Sequence, residues 1–250
     1  MRKFGLIGYP LGHSFSKNYF TEKFINEHIH DCNYENFPLQ SIEKLPELIS
    51  EVHELNGLNV TIPYKSEVFR FLHIIDPEAR EIGAVNVVKI TRLDGRIILS
   101  GYNSDITGIS DSLSHHIKDN IKNAIVLGTG GSSRAVCYVL EKFGLKVTLV
   151  SRNKRPGIIC YSDLTMEIIN DTHLIVNTTP LGMYPNIESK PEINYKLLNK
   201  SHILFDLIYN PEITAFLRLG KERGCTIIGG LRMLHSQAER SWEIWNDANF

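Results

Sequence analysis

The apolar run Ile125-Val126-Leu127 leads directly into Gly128-Thr129-Gly130-Gly131-Ser132-Ser133-Arg134. Glycines between a strand end and a helix start let bare backbone approach a pyrophosphate, whose charge is met by unpaired N–H groups at the helix N-terminus. Such a loop says little alone, but its context is complete here. Helical Ala135-Val136-Cys137-Tyr138-Val139-Leu140 follows, then Gly144, then a second apolar strand, Val147-Thr148-Leu149-Val150. Ser133 replaces the third glycine of the usual dinucleotide fingerprint and is small enough to keep helix and strand close. After the second strand comes Ser151-Arg152-Asn153-Lys154-Arg155, with no Asp or Glu between Glu141 and Asp163. An acid there would bond a ribose 2'-hydroxyl, whereas cations beside small polar donors suit a 2'-phosphate, with Arg152 forked onto it or flat on the adenine. The spacing therefore predicts NADP(H) as cofactor.

Other segments carry groups for acid–base work. Asn59-Val60-Thr61-Ile62-Pro63-Tyr64-Lys65 reads as a strand end, because Pro63 has no N–H for the ladder and restrains Ile62 to extended backbone. Lys65 then arrives at the carboxyl end of a strand, where ligands of open α/β sheets sit. The plainer alternative is a surface lysine opening the next helix. Asp105 closes Gly101-Tyr102-Asn103-Ser104-Asp105 at a helix entrance, either as a reactive acid or as a helix-start residue. Ser14 and Ser16, in Gly8-Tyr9-Pro10-Leu11-Gly12-His13-Ser14-Phe15-Ser16, stand where hydroxyls cap a helix or donate to a carboxylate. His28, His30 and Cys32 mark a helix end rather than a metal site: only His28 and Cys32 share a helical face, and no third ligand follows nearby. His115-His116 reads the same way, and no metal is expected.

Strands and helices alternate along the whole chain, which predicts an α/β architecture with mainly parallel sheets. Strands are expected at 3–8, 33–37, 57–60, 85–91 and 96–102, the last two joined through Leu93-Asp94-Gly95 as a hairpin. Helices are expected at 14–28, 43–54 and 105–118. Beyond the glycine turn, strands at 174–177, 203–205 and 226–228 flank a helix around 215–222. In the final helix Leu231, Leu234, Ala238, Trp242 and Trp245 form an apolar stripe. Met233 and Gln237 project away from it at about 100° per residue, toward either a cleft or water.

A chain of 250 residues has room for two cores. Its 42% hydrophobic and 22% charged content are those of an ordinary globular protein, and its net charge of −1 points to neither nucleic acid nor an anionic membrane. Cys32, Cys137, Cys160 and Cys225 are scattered without metal or disulfide spacing, which fits the cytoplasm. Met1-Arg2-Lys3 precedes only a short apolar run broken at Gly5 and Gly8, too short for a signal peptide, and no segment reaches membrane-spanning length.

Taken in order, these segments closely resemble the shikimate dehydrogenase family. The resemblance is carried by the Ser14/Ser16 segment, Asn59 to Lys65, Gly83-Ala84-Val85-Asn86, Asn103-Ser104-Asp105 and the glycine turn with its basic loop. It continues through Asn177-Thr178-Thr179-Pro180-Leu181-Gly182-Met183, Asp206-Leu207-Ile208-Tyr209-Asn210-Pro211 and Gly230-Leu231-Arg232-Met233-Leu234 with Gln237. It implies NADPH-dependent reduction of 3-dehydroshikimate to shikimate. It also implies an N-terminal α/β substrate domain, 1–104, completed by a C-terminal helix at 231–250, and a Rossmann-type NADP-binding domain at 105–230. Lys65 and Asp105 would be the catalytic pair. Ser14 and Ser16 would hold the substrate carboxylate, while Thr61, Asn86 and Gln237 would bond ring oxygens and Tyr209 would approach from the cofactor domain. Gly128, Thr129, Gly130, Gly131 and Ser132 would cradle the pyrophosphate. Ser151, Arg152, Asn153, Lys154 and Arg155 would take the adenosine phosphate, and Leu207, Gly230 and Met233 would line the nicotinamide pocket. Ser104 where threonine is common, Ile106-Thr107 after the aspartate and Gly229 in place of Asp or Asn depart from the family pattern. The implied partners are the small-molecule substrate and cofactor, for a monomer or homodimer. The alternatives are an NAD-using quinate/shikimate dehydrogenase, disfavoured by the missing acid near Ser151, and a non-catalytic metabolite-sensing module, disfavoured by the intact Lys65 and Asp105.

Overall fold

A computed structural model describes residues 1–12, 15–118 and 120–247. The chain forms two compact units: Met1–Ser104 with Ala238–Phe250, and Asp105–Gln237.

The first unit is built on a mixed sheet in the order β2-β1-β3-β5-β6-β4. Its strands are β1 (Arg2–Gly8), β2 (Cys32–Pro38), β3 (Leu55–Val60), β4 (Ile74–Ile75), β5 (Val87–Leu93) and β6 (Arg96–Tyr102). β1 pairs in parallel with β2 and β3, and β4 with β6, while β5 is antiparallel to both its neighbours, so the expected hairpin is present in a sheet with three parallel and two antiparallel pairings. One face is covered by α2 (Leu45–Glu51) and α3 (Pro77–Ile82) around a core that includes Ile42, Leu45, Leu58, Val68 and Val88. The other is covered by α1 (Phe15–Asn26) and an aromatic cluster of Phe4, Phe20, Tyr34 and Trp245. Trp245 comes from the last helix and lies so close to β3 that a side chain on Gly57 would meet its Nε1 at 2.3 Å, while that indole N–H donates to the Val88 carbonyl at 3.2 Å. His28, in the left-handed region at φ 56°, follows the end of α1. The helix expected at 43–54 is shorter. Ser41 caps a 3-10 turn at Ile42–Lys44, and the α-helix begins only where Pro46, lacking an N–H, fits the first turn.

The second unit begins with α4 (Asp105–Leu113) and holds a sheet of β7 (Asn123–Leu127), β8 (Lys146–Ser151), β9 (Ile158–Cys160), β10 (Leu174–Asn177), β11 (Ile203–Asp206) and β12 (Thr226–Ile228). Every pairing in it is parallel, in the order β12-β11-β10-β7-β8-β9. This is the doubly wound dinucleotide-binding order, with its topological switch point between β7 and β10. The helices are α5 (Gly131–Lys142), α6 (Met166–Asp171) and α7 (Ala215–Glu222), and the core contains Ile125, Leu127, Ile175, Leu204, Phe216 and Leu217.

The last helix, α8 (Leu231–Asn246), runs from the second unit into the first. Its burial departs from the expected single stripe. Ala238, Ser241, Ile244 and Trp245 are buried, Leu231 is 42% exposed, and Met233, which projects away from the stripe, is buried. One helix that serves a different core at each end has no reason to keep one apolar line.

Candidate active site

In the first unit the ends of β1 and β3 are locked together. A side chain on Gly8 would sit 2.4 Å from Thr61 Cγ2 and 2.9 Å from the Ile62 carbonyl, so only glycine permits the approach. Thr61 N–H donates to the Ile7 carbonyl at 2.9 Å and Tyr9 N–H to the Ile62 carbonyl at 3.1 Å. Beyond β3 the chain turns, closed by Tyr64 N–H on the Thr61 carbonyl at 2.9 Å and anchored by the buried Tyr64 hydroxyl, which donates to the Leu39 carbonyl at 2.6 Å. Lys65 therefore lies in an ordered turn past the strand end rather than at the terminus itself. Its carbonyl accepts from Val85 N–H at 2.8 Å, and the residue is half-buried.

A chain of buried hydrogen bonds runs behind this turn. The Tyr34 hydroxyl donates to Asn59 Oδ1 at 2.8 Å, and Asn59 Nδ2 donates to Ser241 Oγ at 2.9 Å and to the Asn86 carbonyl at 3.3 Å. The Ser241 and Ser104 hydroxyls are 3.2 Å apart. Ser104 N–H donates to Asn86 Oδ1 at 2.7 Å, and Asn86 Nδ2 donates to Ser104 Oγ at 3.1 Å. A backbone N–H can only donate, so it fixes which end of the Asn86 amide is oxygen and which is the NH2 group. Each buried group in this chain would cost about 1–3 kcal/mol if left unpaired, which is why the arrangement holds. Ser16, in the first turn of α1, lies half-buried with its hydroxyl against the Tyr34 phenol. Ser14 lies outside the described residues. The roles of Tyr34, Asn59 and Ser241 were not read from the sequence. The available signal was a polar residue inside an apolar run: Asn59 within β3, and Ser241 between Ala238 and Trp245.

In the second unit Asp105 is the first residue of α4 and is buried, a position where the helix dipole favours a negative charge. Gln237 is half-buried and donates from Nε2 to the Leu234 carbonyl at 3.2 Å. Met233 packs on α4, where a side chain on Gly108 would strike the Met233 carbonyl at 2.4 Å.

The glycine turn sits at the switch point. Gly128 has φ +110°, and a side chain there would lie 2.5 Å from Thr178 Oγ1. That hydroxyl donates to the Leu127 carbonyl at 2.7 Å, tying the ends of β7 and β10. Gly130 caps α5 without a side-chain hydrogen bond, and the space around it is open. The first N–H groups of α5 are thus uncapped by any side chain, the condition for anion binding. Ser133 is buried, and its hydroxyl turns back onto the Gly130 carbonyl at 2.7 Å, so it fills the third-glycine position without widening the turn. Past β8, Ser151 Oγ accepts from Asn153 N–H at 3.1 Å, shaping a loop on which Arg152, Asn153, Lys154 and Arg155 are exposed. Lys154 pairs with Asp163 at 3.2 Å. The Cys160 N–H and then Lys154 hold that carboxyl below its usual range. Lys154 thus shares its charge with a carboxylate that lies beyond the acid-free stretch read from the sequence.

At the ends of β10 and β11, Asn177 Nδ2 donates to Asp206 Oδ1 at 3.1 Å, while Asn177 Oδ1 accepts from Thr179 N–H at 3.0 Å. Gly230 lies against the next loop: a side chain on it would be 2.2 Å from the Leu207 carbonyl oxygen. Leu207 and Tyr209 are half-buried, and burial pushes the Tyr209 phenol upward, which keeps it a donor. Among the described residues no three His, Cys, Asp or Glu side chains are grouped to hold a metal ion, and no helix is long and apolar enough to cross a membrane.

Comparison with known proteins gives consistent matches. Residues 6–88 match the family model of the shikimate dehydrogenase substrate binding domain. The chain is 38% identical over 262 residues to a shikimate dehydrogenase (NADP(+)) of Methanococcus aeolicus, covering 96% of this chain and 90% of that protein. A Clostridium beijerinckii shikimate dehydrogenase (NADP(+)) is 37% identical over 99% of this chain and 93% of its own length. Among solved structures, the Thermus thermophilus shikimate 5-dehydrogenase in complex with NADP(H) and shikimate superposes with a TM-score of 0.84 at 30% identity, covering 98% of this chain and 94% of that one.

Proposed function

The chain belongs to the shikimate dehydrogenase family, and from that premise we propose that it catalyses the reversible NADPH-dependent reduction of 3-dehydroshikimate to shikimate, a cytoplasmic step of aromatic amino-acid biosynthesis. The observation that carries the reading is similarity to NADP(+)-dependent shikimate dehydrogenases along nearly the whole chain.

The residues present fit NADP(H). Gly128, Thr129, Gly130, Gly131 and Ser132 form the cradle for a pyrophosphate, with the start of α5 uncapped by any side chain and open space at Gly130. Arg152 and Arg155, with Ser151, Asn153 and the partly neutralised Lys154, meet the 2'-phosphate. Leu207, Gly230 and Met233 line the nicotinamide pocket. When bound, the cofactor supplies the hydride. Hydride addition puts negative charge on the ketone oxygen, and a positioned proton donor speeds that step by about 10² to 10⁴. Lys65 is that donor, held by the turn that Tyr64 and Val85 fix. Asp105 completes the pair by accepting a hydrogen bond from the neighbouring hydroxyl. Ser14 and Ser16 hold the carboxylate, and Thr61, Asn86, Tyr209 and Gln237 bond the ring oxygens.

The test is cofactor oxidation by the purified protein with 3-dehydroshikimate and with 3-dehydroquinate, each with NADPH and with NADH. Turnover is expected with NADPH and 3-dehydroshikimate and should be far slower in the other combinations. A preference for NADH or for 3-dehydroquinate would move the protein to the quinate/shikimate reading, and binding without turnover would make it a sensing module.

A further inference from the structure

Asp206 is fully shielded from solvent, yet no cation among the described residues acts on it. Its partners are neutral donors: the Asn177 amide at 3.1 Å from β10, the Ile208 N–H at 3.1 Å and the Thr214 hydroxyl at 2.6 Å from the cap of α7. Its charge acts on Tyr195, whose phenol is pushed upward by burial and then by Asp206, and so stays neutral. Burial pushes the Asp206 carboxyl up to about 6, and the three donors restrain that rise, so it is mostly ionised at neutral pH.

An asparagine of the same shape would keep Asn177 and Ile208 on its oxygen, but Thr214, whose oxygen already accepts from Leu217 N–H, would then face an NH2 group and lose the acceptor for its own proton. The carboxylate takes all three donors, and with neutral partners its charge stays uncompensated in the interior. The position supplies a use for it. Asp206 is the last residue of β11, at the carboxyl ends of the strands of a parallel sheet where dinucleotides bind, and the next residue is Leu207, against whose carbonyl Gly230 is pressed. Both neighbours belong to the nicotinamide pocket in the reading above, on which this inference rests. The nicotinamide ring is cationic when oxidised and neutral when reduced, and a fixed negative charge in a poorly polarisable interior distinguishes the two.

We propose that Asp206 is an electrostatic determinant of cofactor redox state, favouring bound NADP+ over bound NADPH through its buried charge. The measurement is the ratio of dissociation constants for the two forms, determined by fluorescence titration or calorimetry on the full-length wild type and on Asp206→Asn. The ratio cancels the 2'-phosphate, whose own ionisation near pH 6 affects both forms equally. In Asp206→Asn it should move toward NADPH by roughly tenfold, the order expected of a unit charge about 12 Å away at an effective dielectric of about 20. In the wild type the preference for NADP+ should fade between pH 7.5 and pH 5, as the carboxyl takes up its proton, and this arm needs no variant to fold. An unchanged ratio in Asp206→Asn, equal weakening of both forms, or a wild-type ratio flat with pH would each overturn the proposal. Failure of the wild type to bind either form would overturn the dinucleotide reading itself.

Discussion

The proton-donor role proposed for Lys65 requires that its ammonium be delivered to one place, and the turn that carries it is fixed by backbone contacts. Tyr64 pins the turn to the Leu39 carbonyl and Val85 holds the Lys65 carbonyl, so contacts outside its side chain fix the backbone there. Lys65→Ala should therefore lower kcat by about 10² to 10⁴ with little effect on shikimate binding, because a positioned acid acts mainly in the transition state. Steady-state kinetics with a shikimate binding titration checks this: unchanged turnover would remove Lys65 from the chemistry, and a loss confined to KM would make it a binding group. What was legible at this scale was residue type in a local context. What was not legible was partnership across the chain. Asp163 lies well past the basic loop in sequence yet reaches Lys154, and Ser241 comes from the far end of the chain to complete the Asn59–Ser104 link.

At the scale of elements, the close approach of backbones sets the tightest constraint. Gly230 joins β12 to α8, and a methyl group there would stand 2.2 Å from the Leu207 oxygen and 3.0 Å from the Ile208 carbonyl carbon, atoms that cannot swing aside. Gly230→Ala should destabilise the protein by about 1–3 kcal/mol, as overpacking does, and weaken NADPH binding by displacing the Leu207 loop. Denaturant unfolding with a cofactor titration checks both, and a variant with wild-type stability would show that the junction has slack. The glycine turn, the hairpin and five of the six strands of the second sheet were readable, because period, glycine and turn residues act locally. β9, α3 and α6 were not, being short: β9 is a sheet edge, while α3 is only one Asp76-capped turn and a half, and neither length shows a hydrophobic period. The face of α8 was misread for a different reason. Its pattern sums the demands of two cores, and a single periodicity cannot express them.

At the scale of the molecule, each unit has its own sheet and its own core, which makes ligand linkage a local probe. A ligand that binds only the folded state stabilises by about 2.7 kcal/mol at a hundred times its dissociation constant. In a body of this size that raises the melting midpoint by roughly 5–10 °C. NADP+ should do this through Asp105–Gln237, because the glycine turn and basic loop both lie there, whereas Ser16, Thr61, Lys65 and Asn86 among the groups proposed for shikimate lie in the other unit. Calorimetry with each ligand alone should show a rise for both, and amide hydrogen exchange should separate them. NADP+ should slow exchange first in β7, α5 and β10, and shikimate first in β1, β3 and the turn at Lys65. These segments differ because N–H protection follows the free energy of the local opening that the ligand opposes. If NADP+ protected β1 and β3 as strongly as β7, the two sheets would open as one cooperative body, and the division of binding groups between them would carry no energetic meaning.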